Sequence, residues 1–187
     1  MTTNIEKTPT LLKSKNIQHH ELQENWTFYY LIPARANVGK DANWQDYLKP
    51  LHQFHTFEDF WAIIASIEPA AKLQKGCRYY IFKNDIQPLW ENEKNLGGKE
   101  ISLEFKLPAF PKNDKGRRNK NDAQNPYQAQ RAVQEQCETK WINLCTKVLC
   151  NNTQYFRNVD KINGTEYNFR SGVIKVGIWT SQITDEE

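Results

Sequence analysis

The chain has 187 residues and a mass of 22.0 kDa, which suits one domain with a single hydrophobic core. Hydrophobic residues make up 39% of it and charged residues 25%, which excludes disorder throughout, and no apolar run approaches the roughly 20 residues needed to cross a bilayer. The net charge of +3 is too small to indicate general nucleic-acid binding, and four dispersed cysteines without an apolar leader favour the cytoplasm, with the nucleus as an alternative.

The N-terminal residues 1–18 are polar and show no sustained hydrophobic period. They are predicted to form a flexible tail ahead of a single domain over residues 19–187. Residues 26–32 are rich in aromatic and β-branched side chains and end at Pro33, which predicts a buried strand. A polar loop follows and carries one large apolar residue, Trp44.

A helix is predicted to begin at Thr56, which can cap the first turn together with Asp59, and to end before Pro69. Phe57 and Trp61 lie four residues apart on the flank of its apolar face, so they are candidates for a second surface. The apolar face itself consists of Phe60, Ile63, Ile64 and Ile67.

The middle of the chain is predicted to contain two strands and a loop. Residues 78–83 favour a strand, and the loop that follows carries Trp90 and ends at the pair Gly97 and Gly98. Residues 100–107 alternate between apolar and polar side chains. This alternation predicts an antiparallel strand whose polar face is wet.

Residues 108–126 contain five lysines and arginines among polar residues and predict a disordered basic insertion. Two strands around Tyr167 and Val176 are joined by a turn at 171–172. The fold class is therefore α+β, with helices packed on one face of a curved antiparallel sheet. Between the insertion and these strands, a helix as far as Asn151 has an apolar stripe of Val133, Cys137, Trp141, Leu144, Val148 and Leu149.

The last strand presents chemistry on one of its faces. Alternation places Lys175, Gly177 and Trp179 on the face away from the helices, and Arg170 lies across the turn. Two cations beside a tight hairpin are candidates for a phosphate clamp, although exposed cations on strands are common. Trp90 and Glu91 can offer a planar ring face and a two-oxygen acceptor to the same planar ligand.

The sequence contains no phosphate loop, dinucleotide-binding glycine motif or serine-nucleophile motif, so an enzyme is not indicated and no cofactor is expected. His52, His55 and Glu58 are close in sequence. Histidines three residues apart ahead of a helix cap are more often surface residues than metal ligands, so no metal site is predicted.

Several segments form a longer pattern: residues 20–26 (HELQENW), 56–61 (TFEDFW), 82–98 (FKNDIQPLWENEKNLGG), 141–142 and 170–180. In this order they resemble the eukaryotic translation initiation factor 4E family, which binds the 7-methylguanosine cap of messenger RNA. The resemblance covers most of residues 22–180. It implies a cap pocket on the concave side of the sheet and helices on the convex side.

The resemblance implies a role for each pocket residue. Trp44 and Trp90 match the two indoles that stack on the cap base, Glu91 the carboxylate that recognises guanine, and Trp179 the residue beside the methyl group. Methylated guanine carries a delocalised positive charge, so indole stacking gains a cation–π contribution of about 2 kcal/mol. The phosphate contacts match Arg170, Lys175 and, with lower priority, Lys99, while Glu100 stands where a tryptophan is common in the family.

The resemblance also implies a dorsal surface that receives an amphipathic helix of a scaffold protein of the factor 4G type. Its residues here are His20, Phe57, Trp61 and Ile142, and Asn143 stands where an acidic residue is familiar. Core packing is the alternative for Phe57 and Trp61.

The predicted function is that of a non-enzymatic protein that binds capped messenger RNA and links it to a translation scaffold, without contact to a membrane. One alternative is a repressor-type cap binder that does not recruit the initiation machinery. Another is an enzyme that acts on the cap, although no acid and base pair is recognisable in the sequence.

Overall fold

The computed structural model describes residues 19–32, 44–109 and 126–183. The predicted tail, the loop at 33–43 and most of the predicted basic insertion lie outside the described residues. No helix in the described part is long and apolar enough to span a membrane. The elements are β1 (Glu21–Leu31), β2 (Leu48–Thr56), α1 (Phe57–Ser66), β3 (Arg78–Lys83), β4 (Glu100–Lys106), α2 (Pro126–Leu149), β5 (Ile162–Phe169) and β6 (Val173–Thr180).

The six strands form one curved antiparallel sheet in the order β2-β1-β3-β5-β6-β4. Both helices pack on the same side of it, here called the convex face, and the other side is the concave face. The α+β prediction is therefore confirmed. Within the described ranges, three short 3-10 turns connect these elements, at Trp44–Tyr47, Ala70–Lys72 and Val159–Lys161.

The first helix forms as the sequence predicts. The Thr56 hydroxyl accepts a hydrogen bond from the Asp59 amide at 3.1 Å, which satisfies one of the free amides of the first turn. The helix ends at Ser66, ahead of Pro69. Phe60 and Ile63 are buried beneath it. Capping and amphipathic spacing, both local features, are sufficient to define this element.

The sequence pattern assigns no element to residues 48–55, but they form most of the strand β2. Its residues include Pro50, which cannot donate a hydrogen bond to a neighbouring strand. The structure accommodates Pro50 because β2 is an edge strand, and the register against β1 shifts between Phe28 and Tyr29, where Pro50 pairs. The position of the strand at the edge, which the sequence does not reveal, makes this composition acceptable.

The convex face carries the main core, centred on α2. Trp141 is 1% exposed, stacks on Tyr79 with ring centroids 5.8 Å apart and meets Phe28 edge-on at 6.1 Å. Cys145, which the predicted stripe omits, is also fully buried, and its Sγ lies 3.2 Å from the Thr165 hydroxyl. The core therefore joins α2 to the centre of the sheet.

The strand β4 departs from the pattern expected of it. Its apolar side chains Ile101 and Leu103 are 55% and 65% exposed, whereas Glu100 on the other face is largely covered. The prediction of a wet polar face is therefore wrong at Glu100. The reason is that β4 is an edge strand, and α2 leaves a groove open beside its apolar side chains.

Candidate functional site

The concave face carries a smaller apolar cluster, and an indole pair lies against it. Trp90 stacks on Trp179 with ring centroids 3.9 Å apart and an interplanar angle of 19°. Trp179 is 4% exposed and also meets Tyr80 and Phe82 edge-on, whereas Trp90 remains 42% exposed. Trp179 lies on the face of β6 away from the helices, as predicted. The prediction that its side chain is exposed is wrong, because Trp90 covers it. The cluster consists of Tyr29, Leu31, Tyr80, Phe82, Ile86 and Trp179.

An amide network fixes the loop that carries Trp90. The Asn95 side chain is 1% exposed and donates hydrogen bonds to the carbonyls of Gln87 and Leu89 at 2.9 and 2.7 Å. Asn163 at the start of β5 donates to the Asn95 side-chain oxygen at 2.9 Å. Sequence reasoning had not assigned Asn95 or Asn163 a role, although Asn95 lies within the segment 82–98. Together these bonds tie the loop to the sheet.

Gly98 brings the end of this loop against the last strand. A Cβ atom at Gly98 would lie 1.8 Å from the carbonyl oxygen of Thr180, so no other residue fits without moving the backbone. The next residue, Lys99, donates its amide to the Thr180 hydroxyl at 3.2 Å. The loop is therefore closed on β6, one residue past Trp179.

Two further residues, Glu91 and Trp44, are predicted to bind the base. Glu91 directly follows Trp90 and is exposed. Trp44 begins the 3-10 turn at Trp44–Tyr47, which leads into β2 beside the end of β1, but its side chain lies outside the described part of the structure. The pairing of two indoles around a base therefore remains a prediction.

Lys175, predicted as a phosphate contact, is not free in the structure. Its ammonium group forms an ion pair with Glu100, and the two side chains are only 11% and 19% exposed. Glu100 also accepts a hydrogen bond from the Ser102 hydroxyl at 3.0 Å. Gly177 lies between Lys175 and Trp179 on the same face of β6 and packs closely on Ser102. The expected exposure of Lys175 is therefore wrong, because β4 supplies a carboxylate beside it.

Arg170 and Lys99, the other two predicted phosphate contacts, are both exposed. Arg170 donates its amide to the Val173 carbonyl at 2.8 Å and so closes the turn between β5 and β6, where Gly172 adopts a φ of 76°. Of the three predicted phosphate contacts, Lys175 is therefore buried and paired, whereas Arg170 and Lys99 are exposed.

A second carboxyl group, Glu166, lies in the same region and was not predicted from the sequence. It is 1% exposed, and burial first, then the neighbouring Glu100 carboxylate, raise the pKa of Glu166 to about 7. Burial also acts to raise the pKa of Glu100, but the hydrogen bonds that it receives, first from Lys175, hold this pKa below its ordinary value. Of the two carboxyl groups, Glu166 therefore holds a proton more readily than Glu100 does.

The polar group continues across the concave face to β3. Arg78 donates a hydrogen bond from Nη1 to the Tyr80 hydroxyl at 3.1 Å, and burial raises the pKa of Tyr80 to about 12. In β5, the polar residues Glu166 and Asn168 alternate with the aromatic residues Tyr167 and Phe169, and this alternation is the sequence signal that could have revealed the group. Within this polar group, the buried atoms Arg78 Nε, Glu166 Oε1 and Asn168 Oδ1 have no hydrogen-bond partner among the described residues.

Three of the four predicted dorsal residues, His20, Phe57 and Trp61, line a groove on the convex side of the molecule. The His20 ring nitrogen Nδ1 lies 2.7 Å from the Glu58 carboxylate, and the Phe57 amide donates to the His20 carbonyl at 2.9 Å. Trp61 is 47% exposed, so the core-packing alternative does not hold for it, whereas Phe57 packs against the main core. The groove, of about 1020 Å³, is lined by His20, Glu21, Phe57, Glu58, Trp61 and Ala62.

The remaining dorsal prediction, Ile142, is half-buried on α2 and does not line this groove. Glu58 is close in sequence to His52 and His55, but its carboxylate forms hydrogen bonds with the side chain and the backbone amide of His20. These hydrogen bonds lower the pKa of Glu58 to about 2. Across the described ranges, no three His, Cys, Asp or Glu side chains form a group that can hold a metal ion.

Comparisons with known proteins agree with this geometry. The family model for eukaryotic initiation factor 4E matches residues 21–187. The chain is 29% identical over 181 residues to eukaryotic translation initiation factor 4E of Eremothecium gossypii, covering 96% of this chain and 72% of that protein.

Two solved structures are also similar to this chain. The eIF4E-3 of C. elegans, in complex with the 4E-binding protein Mextli, matches with a TM-score of 0.69 and 27% identity, over 90% of this chain and 80% of that one. The Ascaris suum eIF4E-3 with m7G cap matches with a TM-score of 0.69 and 26% identity, over 90% of this chain and 77% of that one. From the concave indole pair, the dorsal groove and these similarities, we conclude that the chain belongs to the eukaryotic initiation factor 4E family.

Proposed function

We propose that this chain binds the 7-methylguanosine cap of messenger RNA and links it to a translation scaffold in the cytoplasm, as a binding protein rather than an enzyme. The observation that carries the proposal is the stacked pair of Trp90 and Trp179 on the concave face, beside Glu91. The similar Ascaris suum protein was solved with m7G cap. In this proposal, residues 1–18 and the basic insertion are appendages of one cap-binding domain.

Base binding in this proposal requires Trp90 to move. Trp179 is only 4% exposed, so it can contact the methyl group of the cap only after Trp90 leaves it. Trp90 then stacks on the base, with Trp44 on the other side, and each base–indole contact contributes roughly 1 to 3 kcal/mol. The anchored loop around Asn95 limits this motion to the exposed turn that carries the indole.

Glu91 supplies the base specificity in this proposal. Its two oxygens can accept hydrogen bonds from guanine N1–H and the exocyclic amine together, an arrangement that adenine does not offer. The carboxylate is exposed in the structure and directly adjoins the indole that stacks on the base. Stacking therefore selects for methylation, and the carboxylate selects for guanine.

The phosphates of the cap are proposed to meet Arg170, Lys99 and Lys175. Arg170 and Lys99 are exposed, so they can approach a phosphate without losing another partner that the structure describes for their side chains. Binding to such cations is weakened by salt.

The dorsal groove is proposed as the scaffold site. Trp61 supplies an exposed aromatic anchor, and the His20–Glu58 bridge holds the edge of the groove. An amphipathic helix can insert its apolar face between Phe57 and Trp61. The similar C. elegans protein was solved in complex with a 4E-binding protein, which supports a protein partner for this chain.

Retention on immobilised 7-methylguanosine triphosphate tests the cap-binding proposal. The wild-type protein is expected to be retained, and the soluble cap analogue is expected to quench its tryptophan fluorescence. Trp90→Ala is expected to lose retention, while Trp61→Ala serves as a matched control that removes an exposed indole from the other face. A wild-type protein that is folded and not retained would contradict the proposal. A protein that is retained but captures no scaffold peptide would instead be a repressor-type cap binder.

A further inference from the structure

We propose that Glu100 competes with the phosphates of the cap for Lys175, so that a carboxylate of the protein sets how much the phosphate chain contributes to binding. This inference rests on the proposed cap-binding function.

The ion pair between Glu100 and Lys175 is built into the sheet. The strands β4 and β6 are neighbours, and Glu100 lies opposite Trp179 in their register. Lys175 lies four residues before Trp179 on β6 and therefore on the same face of the sheet. Gly177 between them has no side chain, so the lysine can extend along the strand to the carboxylate. Both side chains are at least four-fifths buried, and Ser102 donates a further hydrogen bond to Glu100.

A phosphate that approaches Lys175 therefore meets a cation that is already neutralised. It has to displace Glu100 from the ammonium group or accept the repulsion of a carboxylate a few ångströms away. Breaking a buried pair leaves an uncompensated charge, so the exchange is unfavourable unless Glu100 is relieved of its charge. In the wild-type protein, Arg170 and Lys99 consequently provide most of the phosphate contribution.

Glu166 makes the local charge depend on pH. It faces Glu100 on β4, Lys175 on β6, and Arg78 and Tyr80 on β3. With Glu166 protonated, the two cations and the Glu100 carboxylate leave one net positive charge. Because burial and Glu100 raise the pKa of Glu166 to about 7, this positive charge is lost as the pH rises above neutrality.

The experiment measures the dissociation constants of 7-methylguanosine and of its 5′-triphosphate. The first constant divided by the second is the phosphate contribution, so a larger ratio means that the phosphates strengthen binding more. Glu100→Gln is expected to raise this ratio at least about tenfold, the value of one charge-assisted hydrogen bond. Glu104→Gln is the matched control, because Glu104 lies on the same strand and face, pairs with Lys175 in the register and is exposed. Its ratio is expected to change less than about twofold, as for a surface charge.

A second variant keeps the test decisive if Glu100→Gln does not fold. In Glu100→Gln with Lys175→Gln, an amide pair replaces the ion pair. The ratio is expected to stay within about twofold of the wild type, because in the wild type Glu100 already withholds most of the charge of Lys175 from the phosphates. A drop of about tenfold would show that Lys175 binds phosphate freely in the wild type, and the inference would be overturned.

The pH dependence gives a third reading of the same ratio. Between pH 6 and 8 the wild-type ratio is expected to fall, because Glu166 ionises and the local positive charge is lost. This fall is expected even though the phosphates of the ligand gain negative charge over the same range. Glu166→Gln is expected to abolish the fall.

Equal gains in the ratio for Glu100→Gln and Glu104→Gln, or no gain for either, would refute the inference while leaving cap binding intact. Failure of the wild type to bind 7-methylguanosine would refute the proposed function itself.

Discussion

The convex and concave faces of the sheet are made from alternate residues of the same strands, yet they differ in chemistry. On β5, Tyr167 joins the apolar core under α2, while its neighbours Glu166 and Asn168 are buried among charged groups on the other side. The convex face gains stability from aromatic packing. The concave face buries the Glu100–Lys175 ion pair and the Glu166 carboxyl group, which are expected to serve recognition more than stability.

The largest expected effect tests whether aromatic packing on the convex face stabilises the fold. Trp141→Ala should lower the free energy of unfolding by about 3 to 5 kcal/mol, because it removes a fully buried ring that contacts three other aromatic residues. Equilibrium urea unfolding measures this change. Leu103→Ala is the control, since that side chain is 65% exposed and its loss should cost less than about 0.5 kcal/mol. Similar losses in both variants would contradict the placement of the core.

The next effect tests whether the convex face also carries a binding surface. Trp61→Ala should weaken binding of an amphipathic scaffold peptide by at least about 2 kcal/mol, because an exposed aromatic anchor is lost. Isothermal titration with the peptide measures it, and retention on the cap column should be unchanged. If the variant unfolds or loses both activities, Trp61 supports the fold, and the dorsal groove loses its anchor.

A third effect sharpens the assignment of guanine recognition to the concave face. Glu91→Gln should weaken binding of the cap analogue by about 1.5 to 3 kcal/mol, since one charged acceptor becomes a donor that faces guanine N–H groups. Fluorescence titration with 7-methylguanosine and with an N7-methylated adenine analogue measures the preference. The nearby exposed Glu93→Gln is the control for the loss of a negative charge. A wild type that binds both bases equally would exclude this role.

The last effect concerns the buried Glu166 carboxyl group on the concave face. The pKa of Glu166 is raised from an ordinary 4.5 to about 7, so the folded state binds its proton more tightly than the unfolded state does. The resulting stability is fully present below pH 4.5 and is lost as the pH rises through 7.

Melting temperatures of the wild type and Glu166→Gln between pH 5 and 8 measure this contribution. The wild type should lose stability relative to the variant as the pH rises, because the glutamine carries no proton to lose. Glu104→Gln, an exposed substitution on the same face, should follow the wild type. Parallel curves for the wild type and Glu166→Gln would show that Glu166 does not titrate in this range.

The local elements of the fold follow from the sequence because their signals are short-range. The cap at Thr56 and the apolar spacing after it define α1, and the alternation around Val176 defines β6 and its two faces. The order of the motifs from residue 20 to residue 180 was sufficient to place the chain in its family. These features depend on neighbours within a few residues of each other, or on the identity of residues alone.

The tertiary structure decided the features that depend on which strands become neighbours. The edge position of β2 makes Pro50 acceptable, and the edge position of β4 exposes Ile101. The stacking of Trp90 on Trp179 and the pairing of Glu100 with Lys175 join residues that are far apart in the chain. They arise because packing of the whole sheet places β6 between β5 and β4, an order to which no local pattern in the sequence corresponds.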